Sequence, residues 1–194
     1  MDVPSGRIHL CVDMQRIFAE DTPWHIDWME KVRGPVAGIA RAHPQATIFT
    51  RFVPPDRPED AVGMWRSYYE KWSNMTRLAQ GEAMIDILPE LRELVPPAMV
   101  FDKPIYSPWL DGRLHAHLQE RGAHTLVVSG GETDVCVLAA ILGAVDLGYK
   151  VVLVKDAICS ASDETYDASL QLFASRFSVQ LELKTADEVR AWWP

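Results

Sequence analysis

Positive charge is scarce in this chain, and that shortage removes one class of function first. Lys and Arg number 19 against 27 Asp and Glu, for a net charge of −8. Phosphate contacts need clustered basic side chains, so a nucleic-acid binder is not expected. The acidity does not define the substrate, because a local patch can differ from the whole. Long apolar runs are missing too: no stretch approaches the roughly 20 residues that cross a bilayer. Asp2, Pro4, Ser5 and Arg7 at the start do not read as a secretion signal. These absences point to a cytoplasmic protein with no membrane partner. Cysteine is sparse, with only Cys11, Cys136 and Cys159. An odd, widely spaced set fits neither a disulfide framework nor a paired-cysteine zinc site, and it leaves a free, working thiol open.

What is present suits one compact domain over residues 1–194, with 48% apolar residues to fill a core. Short β-rich runs recur at Ile8–Val12, Ala46–Phe52, Ala98–Phe101, Thr125–Ser129, Val151–Val154 and Phe177–Leu183. Helical sequence is read at Trp28–Ala42, Trp109–Arg121, Asp134–Leu147, Asp163–Arg176 and Ala186–Trp192, with Gly34-Pro35 expected to start or kink the first. That alternation predicts an α/β fold with a parallel sheet covered by helices on both faces. The expected form is a three-layer α/β/α, Rossmann-like fold with a six-stranded parallel sheet, order 3-2-1-4-5-6. Pro54, Pro55 and Pro58 make a loop after the second strand. Behind it Trp65, Tyr68, Tyr69 and Trp72 fall at i, i+3, i+4 and i+7, an aromatic helix face that either packs or forms a lid. Residues 53–75 are therefore read as a loop and helix insertion.

In open α/β sheets ligands bind beyond the carboxyl ends of the strands, so polar residues just after strands are the first candidates. Cys136 follows a Gly-Gly turn where a helix begins, with Thr133 or Asp134 as its N-cap. Helix N–H groups favour a thiolate and would lower its pKa from about 8.5 toward neutrality. The alternative for Cys136 is plain packing. Asp13 after the first strand is costly to bury without a task and would accept the thiol proton, unless it is a cap. Lys103 after the third strand would supply a fixed charge, unless it simply faces water.

The combination resembles the isochorismatase-like cysteine hydrolases, which include nicotinamidases and carbamoyl-amide hydrolases, over nearly the whole chain. Asp13-Met14-Gln15 with Phe18 is similar to the family's acidic strand end, and Lys103 with Tyr106-Ser107 to its basic loop. Gly130 through Cys136-Val137 is similar to its nucleophile elbow, and Asp156-Ala157 is also typical. The resemblance implies a cysteine-nucleophile hydrolase of a small carbon–nitrogen bond, amide or ureido. It gives Cys136 as nucleophile, Asp13 as general acid and base and Lys103 as electrostatic partner. It also implies a non-proline cis peptide at Gly131-Glu132 and an oxyanion site at the amides of Glu132 and Cys136. A vinyl-ether hydrolase is the rival within the family. A non-catalytic binding protein on the same fold is the rival outside it. A phosphatase built on Asp13 would want a second carboxylate where Gln15 stands.

Zinc-dependent nicotinamidases carry Asp-x-His after the second strand, but this chain has Thr50-Arg51-Phe52-Val53-Pro54-Pro55. His115 and His117, two apart on a predicted helix, point to different faces. No metal and no cofactor are expected. Phe18, Trp65, Tyr106 and Trp109 are candidates to wall a pocket for a small planar substrate, with Gln15 and Gly131 added beside them. Arg51 either forks a substrate carboxylate or makes an ion pair. Cys11 is read as strand packing and Cys159 as a turn residue ahead of a Ser162-capped helix. Trp65, Trp72, Trp192 and Trp193 suggest a self-association surface, hence a homo-oligomer, dimer or tetramer.

Overall fold

The computed structural model describes residues 6–194, so the reading of Asp2, Pro4 and Ser5 lies outside the described residues. Six strands, β1 (Arg7–Val12), β2 (Thr47–Phe52), β3 (Met99–Lys103), β4 (Thr125–Gly131), β5 (Lys150–Cys159) and β6 (Leu181–Lys184), pair in parallel. Their order is β3-β2-β1-β4-β5-β6. Around the sheet pack α1 (Met29–Ala42), α2 (Met64–Lys71), α3 (Arg113–Glu120), α4 (Leu138–Asp146), α5 (Asp163–Arg176) and α6 (Ala186–Trp192), giving the three-layer α/β/α fold. All seven residues of β4 and every residue of β1 after Arg7 are buried, as strands covered on both faces must be. The sheet steps from β1 to β2 on one side and to β4 on the other. That reversal opens a crevice at the carboxyl ends of β1 and β4.

The element boundaries move where backbone pairing overrides side-chain character. β3 continues through the polar Asp102 and Lys103, because the β2 backbone pairs with them: Arg51 opposes Asp102 and Phe52 opposes Lys103. β5 runs past Val154 to Cys159 after a register shift opposite Val128 to Gly130. Cys159 is thus a buried strand residue and not a turn residue. β6 starts later than expected because Phe177 closes α5, its N–H bonding to the Phe173 carbonyl. α3 begins only after Gly112, whose φ of 72° breaks the helix expected from Trp109. Pro35 lies inside α1 and does not start it. Ser162 caps α5 as the sequence suggests, its Oγ accepting the Thr165 N–H.

Two of the tryptophans named for a self-association surface also make contacts within the chain. Trp193 stacks on His43 at 3.8 Å, and the Arg7 guanidinium sits 4.1 Å over Trp192. Among the described residues no helix is long and apolar enough to cross a membrane.

His9, in the middle of β1, is fully buried between Thr47 and Ser129. Thr47 Oγ1 donates to the His43 carbonyl, so it accepts from His9 Nδ1–H, and His9 Nε2 accepts the Ser129 hydroxyl proton. Burial, and then the charge of His43, depress the His9 pKa to about 3. An unfolded histidine takes a proton near 6.5, whereas folded His9 stays neutral down to about 3. Stability is therefore lost as pH falls through that window, by about 1.4 kcal/mol per pH unit from this one group. Urea unfolding between pH 6.5 and 4 should show that slope, and His9→Gln should flatten it. An unchanged slope in the variant would assign the acid sensitivity to the carboxylates.

Candidate functional site

Three strand ends converge in the crevice. Asp13 follows β1 and takes the left-handed backbone conformation, φ 49°, which turns its side chain at once out of the strand direction. Its carboxylate is held on both oxygens: Thr50 Oγ1 donates to Oδ1 at 2.5 Å, and Lys103 Nζ donates to Oδ2 at 2.6 Å. The Asp13 N–H donates in turn to Thr50 Oγ1 at 3.2 Å. Lys103 sits at the end of β3, two strands away. Its long stem crosses β2 over the Phe52 ring, with Nζ 5.2 Å from the ring centroid. The ammonium has three donors and uses all of them, on Asp13, on the Ile105 carbonyl at 3.2 Å and on Cys136 Sγ at 3.5 Å. Asp13 is 1% exposed and Lys103 2%, so this pair is sealed beneath the crevice.

Cys136 arrives from the other side. Near its end β4 passes Gly130, at φ 107° and so close to β1 that a Cβ there would lie 2.0 Å from the Val12 carbonyl oxygen. The Gly131-Glu132 peptide bond is cis. The chain then enters one π-helical turn, Thr133–Val137, before α4. No side chain caps this turn. Thr133 Oγ1 donates to the Cys159 carbonyl and Asp134 accepts from Ser160, so neither plays the N-cap role expected of it. The wider turn carries the thiol inward, where Cys136 is 6% exposed. The depressed pKa expected from a helix N-terminus is not realised. Burial first, and then the neighbouring Asp13 charge, push the Cys136 thiol well above its ordinary range, while Lys103 pulls the other way. The sulfur accepts from Lys103 Nζ, which also donates to the Asp13 carboxylate, so one ammonium joins the two groups.

Cys136 lines a cavity of about 300 Å³, room for a small molecule. Asp13 and Lys103 lie behind the sulfur and not in the wall. The rings of Phe18, Trp24, Phe52, Tyr68, Trp72 and Tyr106 wall the cavity, together with Gly131 and Glu132. α2 thus supplies both packing and wall: Tyr69 is buried, whereas Tyr68 and Trp72, just past the end of α2, face the cavity.

Among the expected contact residues, Phe18, Tyr106 and Gly131 are in the wall and four are not. Gln15 is fully buried and splints the strand ends, its amide donating to the Phe52 and Ile85 carbonyls and accepting the Phe52 N–H. Arg51 points to the opposite side of β2 from Thr50 and Phe52, by strand alternation, and forks Asp102 at 2.7 and 2.8 Å. Trp65 backs the wall edge-on to Tyr106, with centroids 4.9 Å apart. Trp109 covers α4 at Gly143, where a Cβ would meet its ring at 2.2 Å, and donates to the Ala140 carbonyl. Thr50, Trp24, Phe52 and the Glu132 side chain were not picked out from sequence. Thr50 and Phe52 sit within the strand stretch read only for a missing metal motif, and Trp24 carries no signal beyond an aromatic in a polar loop. Among the described residues, no three His, Cys, Asp or Glu side chains gather as a metal would need.

Residues 7–185 match the family model described as the isochorismatase domain. An uncharacterized isochorismatase family protein of Bacillus subtilis is 30% identical over 86 residues, 44% of this chain and 47% of that protein. The ureidoacrylate amidohydrolase of Pantoea ananatis is 34% identical over 87 residues, 45% of this chain and 34% of that protein. The match thus spans less than half the length of either relative. The crystal structure of a cysteine hydrolase from Pseudomonas syringae superposes with a TM-score of 0.80 at 22% identity, over 96% of this chain and 92% of that one.

Proposed function

The chain belongs to the isochorismatase family, and from that premise we propose that it hydrolyses a small amide or ureido bond with Cys136 as nucleophile. One contact carries the reading: Lys103 Nζ touches both the Asp13 carboxylate and Cys136 Sγ, at 2.6 and 3.5 Å, directly behind the one sulfur that lines the aromatic cavity. The other two cysteines are buried away from it, and burial pushes the Cys159 thiol up to about 12.

As Sγ attacks the carbonyl carbon, its proton passes to Asp13, so no free thiolate has to persist in a buried site. The backbone N–H groups of Glu132 and Cys136 hold the oxyanion. Asp13 returns the proton to the departing nitrogen, the C–N bond breaks, and the acyl group remains on sulfur. Water, deprotonated by Asp13, then attacks the thioester. The C–S bond breaks, the acid leaves, and Sγ regains its proton. Burial works against the Lys103 ammonium, but the Asp13 carboxylate at 2.6 Å more than offsets it and the pKa is raised, so Lys103 serves as a fixed cation beside the pair. The amidohydrolase named among the relatives supports this bond class.

A panel of small primary amides and ureido compounds, followed by ammonia release and intact-protein mass, tests the reading. The expected result is ammonia and acid in equal amounts from an amide, or ammonia, carbon dioxide and the freed amine from a ureido compound, with an acyl or carbamoyl adduct on Cys136. Cleavage of vinyl ethers alone, or no turnover of any amide or ureido compound, would overturn it. Thr50 acts through Asp13 as a positioning residue. Thr50→Val should lower kcat about 10-fold or more, as loss of a hydrogen bond to a charged group does, with KM little changed and Thr50→Ser restoring the rate. A change confined to KM would place Thr50 among the binding groups instead.

A further inference from the structure

The cavity wall has a sign. Six of its fourteen lining residues are aromatic, and no Lys or Arg is among them. Lys103, behind the sulfur, has its three donors engaged by Asp13, Ile105 and Cys136. Arg51 is forked onto Asp102 on the far side of its strand. The His25 ring at the rim is tied to the Glu20 carbonyl at 3.0 Å and to the Asp27 carboxylate at 3.1 Å. Glu132, by contrast, is a lining residue whose carboxylate has no hydrogen-bond or ion-pair partner among the described residues; after burial, its charge is among those that raise the Tyr68 and Tyr106 pKa, which sets it near those two wall rings. Its neighbour Asp134 is engaged by Ser160. Burial, and then Asp134, raise the Glu132 pKa, and a cation brought against it works in the opposite direction.

We infer that the substrate is an amide carrying a cationic, preferably aromatic, group, with Glu132 as its counter-ion and the ring faces of the wall around its charge, and that amides bearing a carboxylate are rejected. The word amide rests on the hydrolase reading; the charge preference rests on the wall alone. A cation facing aromatic rings meets the negative face of each quadrupole. A carboxylate in the same place would lie against Glu132 with no free cation to offset it, in a site where water screens poorly.

Three probes of nearly one shape separate the charges: the N-methylpyridinium-3-carboxamide cation, neutral pyridine-3-carboxamide, and the anion 5-carbamoylpyridine-3-carboxylate. Binding to the full-length Cys136→Ala protein is read by fluorescence, since Trp24 and Trp72 line the cavity. The cation should bind at least about 10-fold tighter than the neutral probe, and the anion weaker than either. On the same background Glu132→Gln should reduce the cation-to-neutral preference about 10-fold. A cation that does not quench at millimolar concentration, an anion that binds as well as the cation, or a preference unchanged by Glu132→Gln would each overturn the inference. If the Gln variant does not fold, the ranking of the three probes on the Cys136→Ala protein decides alone. Wild-type turnover keeps the two readings apart. Ammonia released without charge preference leaves the hydrolase standing and removes this inference, whereas charge-selective binding with no amide cleaved does the reverse.

Discussion

Cys136→Ala should abolish turnover, with kcat/KM falling about 1,000-fold or more, while substrate is still bound and the fold is retained. The size follows from what the sulfur does. Once the attacking atom is gone, the remaining groups can only bind and polarise, and nucleophile deletions in covalent hydrolases leave residual rates far below the parent enzyme. Sγ reaches the cavity with 6% of the residue exposed, so its removal opens little space in the core. Intact-protein mass under substrate should show an acyl adduct on the parent protein and none on the variant. Equal turnover by the variant would end the covalent mechanism, and an adduct on Cys11 or Cys159 would move the nucleophile elsewhere.

Asp13→Asn should damage stability and chemistry together, and the two losses can be separated. The amide cannot accept the thiol proton, which removes general-base catalysis worth about 100- to 10,000-fold. It also leaves the Lys103 ammonium, 2% exposed, without its counter-ion at 2.6 Å. Breaking one side of a buried pair costs about 3–5 kcal/mol, a drop in Tm of roughly 10 °C for a chain of this length. The double variant Asp13→Asn/Lys103→Met removes the stranded charge and replaces its stem with an apolar side chain of similar reach. Its Tm should return most of the way, since apolar replacement of a buried pair is often neutral, while activity stays lost. A double variant as unstable as Asp13→Asn would mean that Lys103 is not the source of the instability. Activity returning with stability would mean that Asp13 is structural only.

The strand-end residues were legible before any fold was available because each breaks a local rule. Asp13 puts a charge at the end of an apolar strand, Gly130-Gly131 puts a flexible turn before a helix, and Cys136 stands at that helix's start. What failed at those positions was electrostatics: the dipole argument for Cys136 considers one helix end, whereas the thiol is buried and stands beside a carboxylate from another strand. The choice between the two readings of Arg51 stayed open for a related reason. Its own sequence neighbourhood contains no Asp102, which comes alongside only when β3 pairs with β2. Trp109 looked like a wall residue by type, but Gly143, distant in sequence, leaves the gap that its ring fills.

Local pattern alone determined the parallel α/β architecture, the order of its elements and the three side chains worth examining, because alternation, apolar runs and turn residues act over a few positions. Only the folded chain decided that Lys103 crosses β2 to reach Asp13, that Thr50 clamps the second carboxylate oxygen, and that Trp24, Phe52 and Glu132 share a wall. Those are contacts between residues tens of positions apart, set by strand register and side-chain reach, and neither is written in any single stretch of sequence.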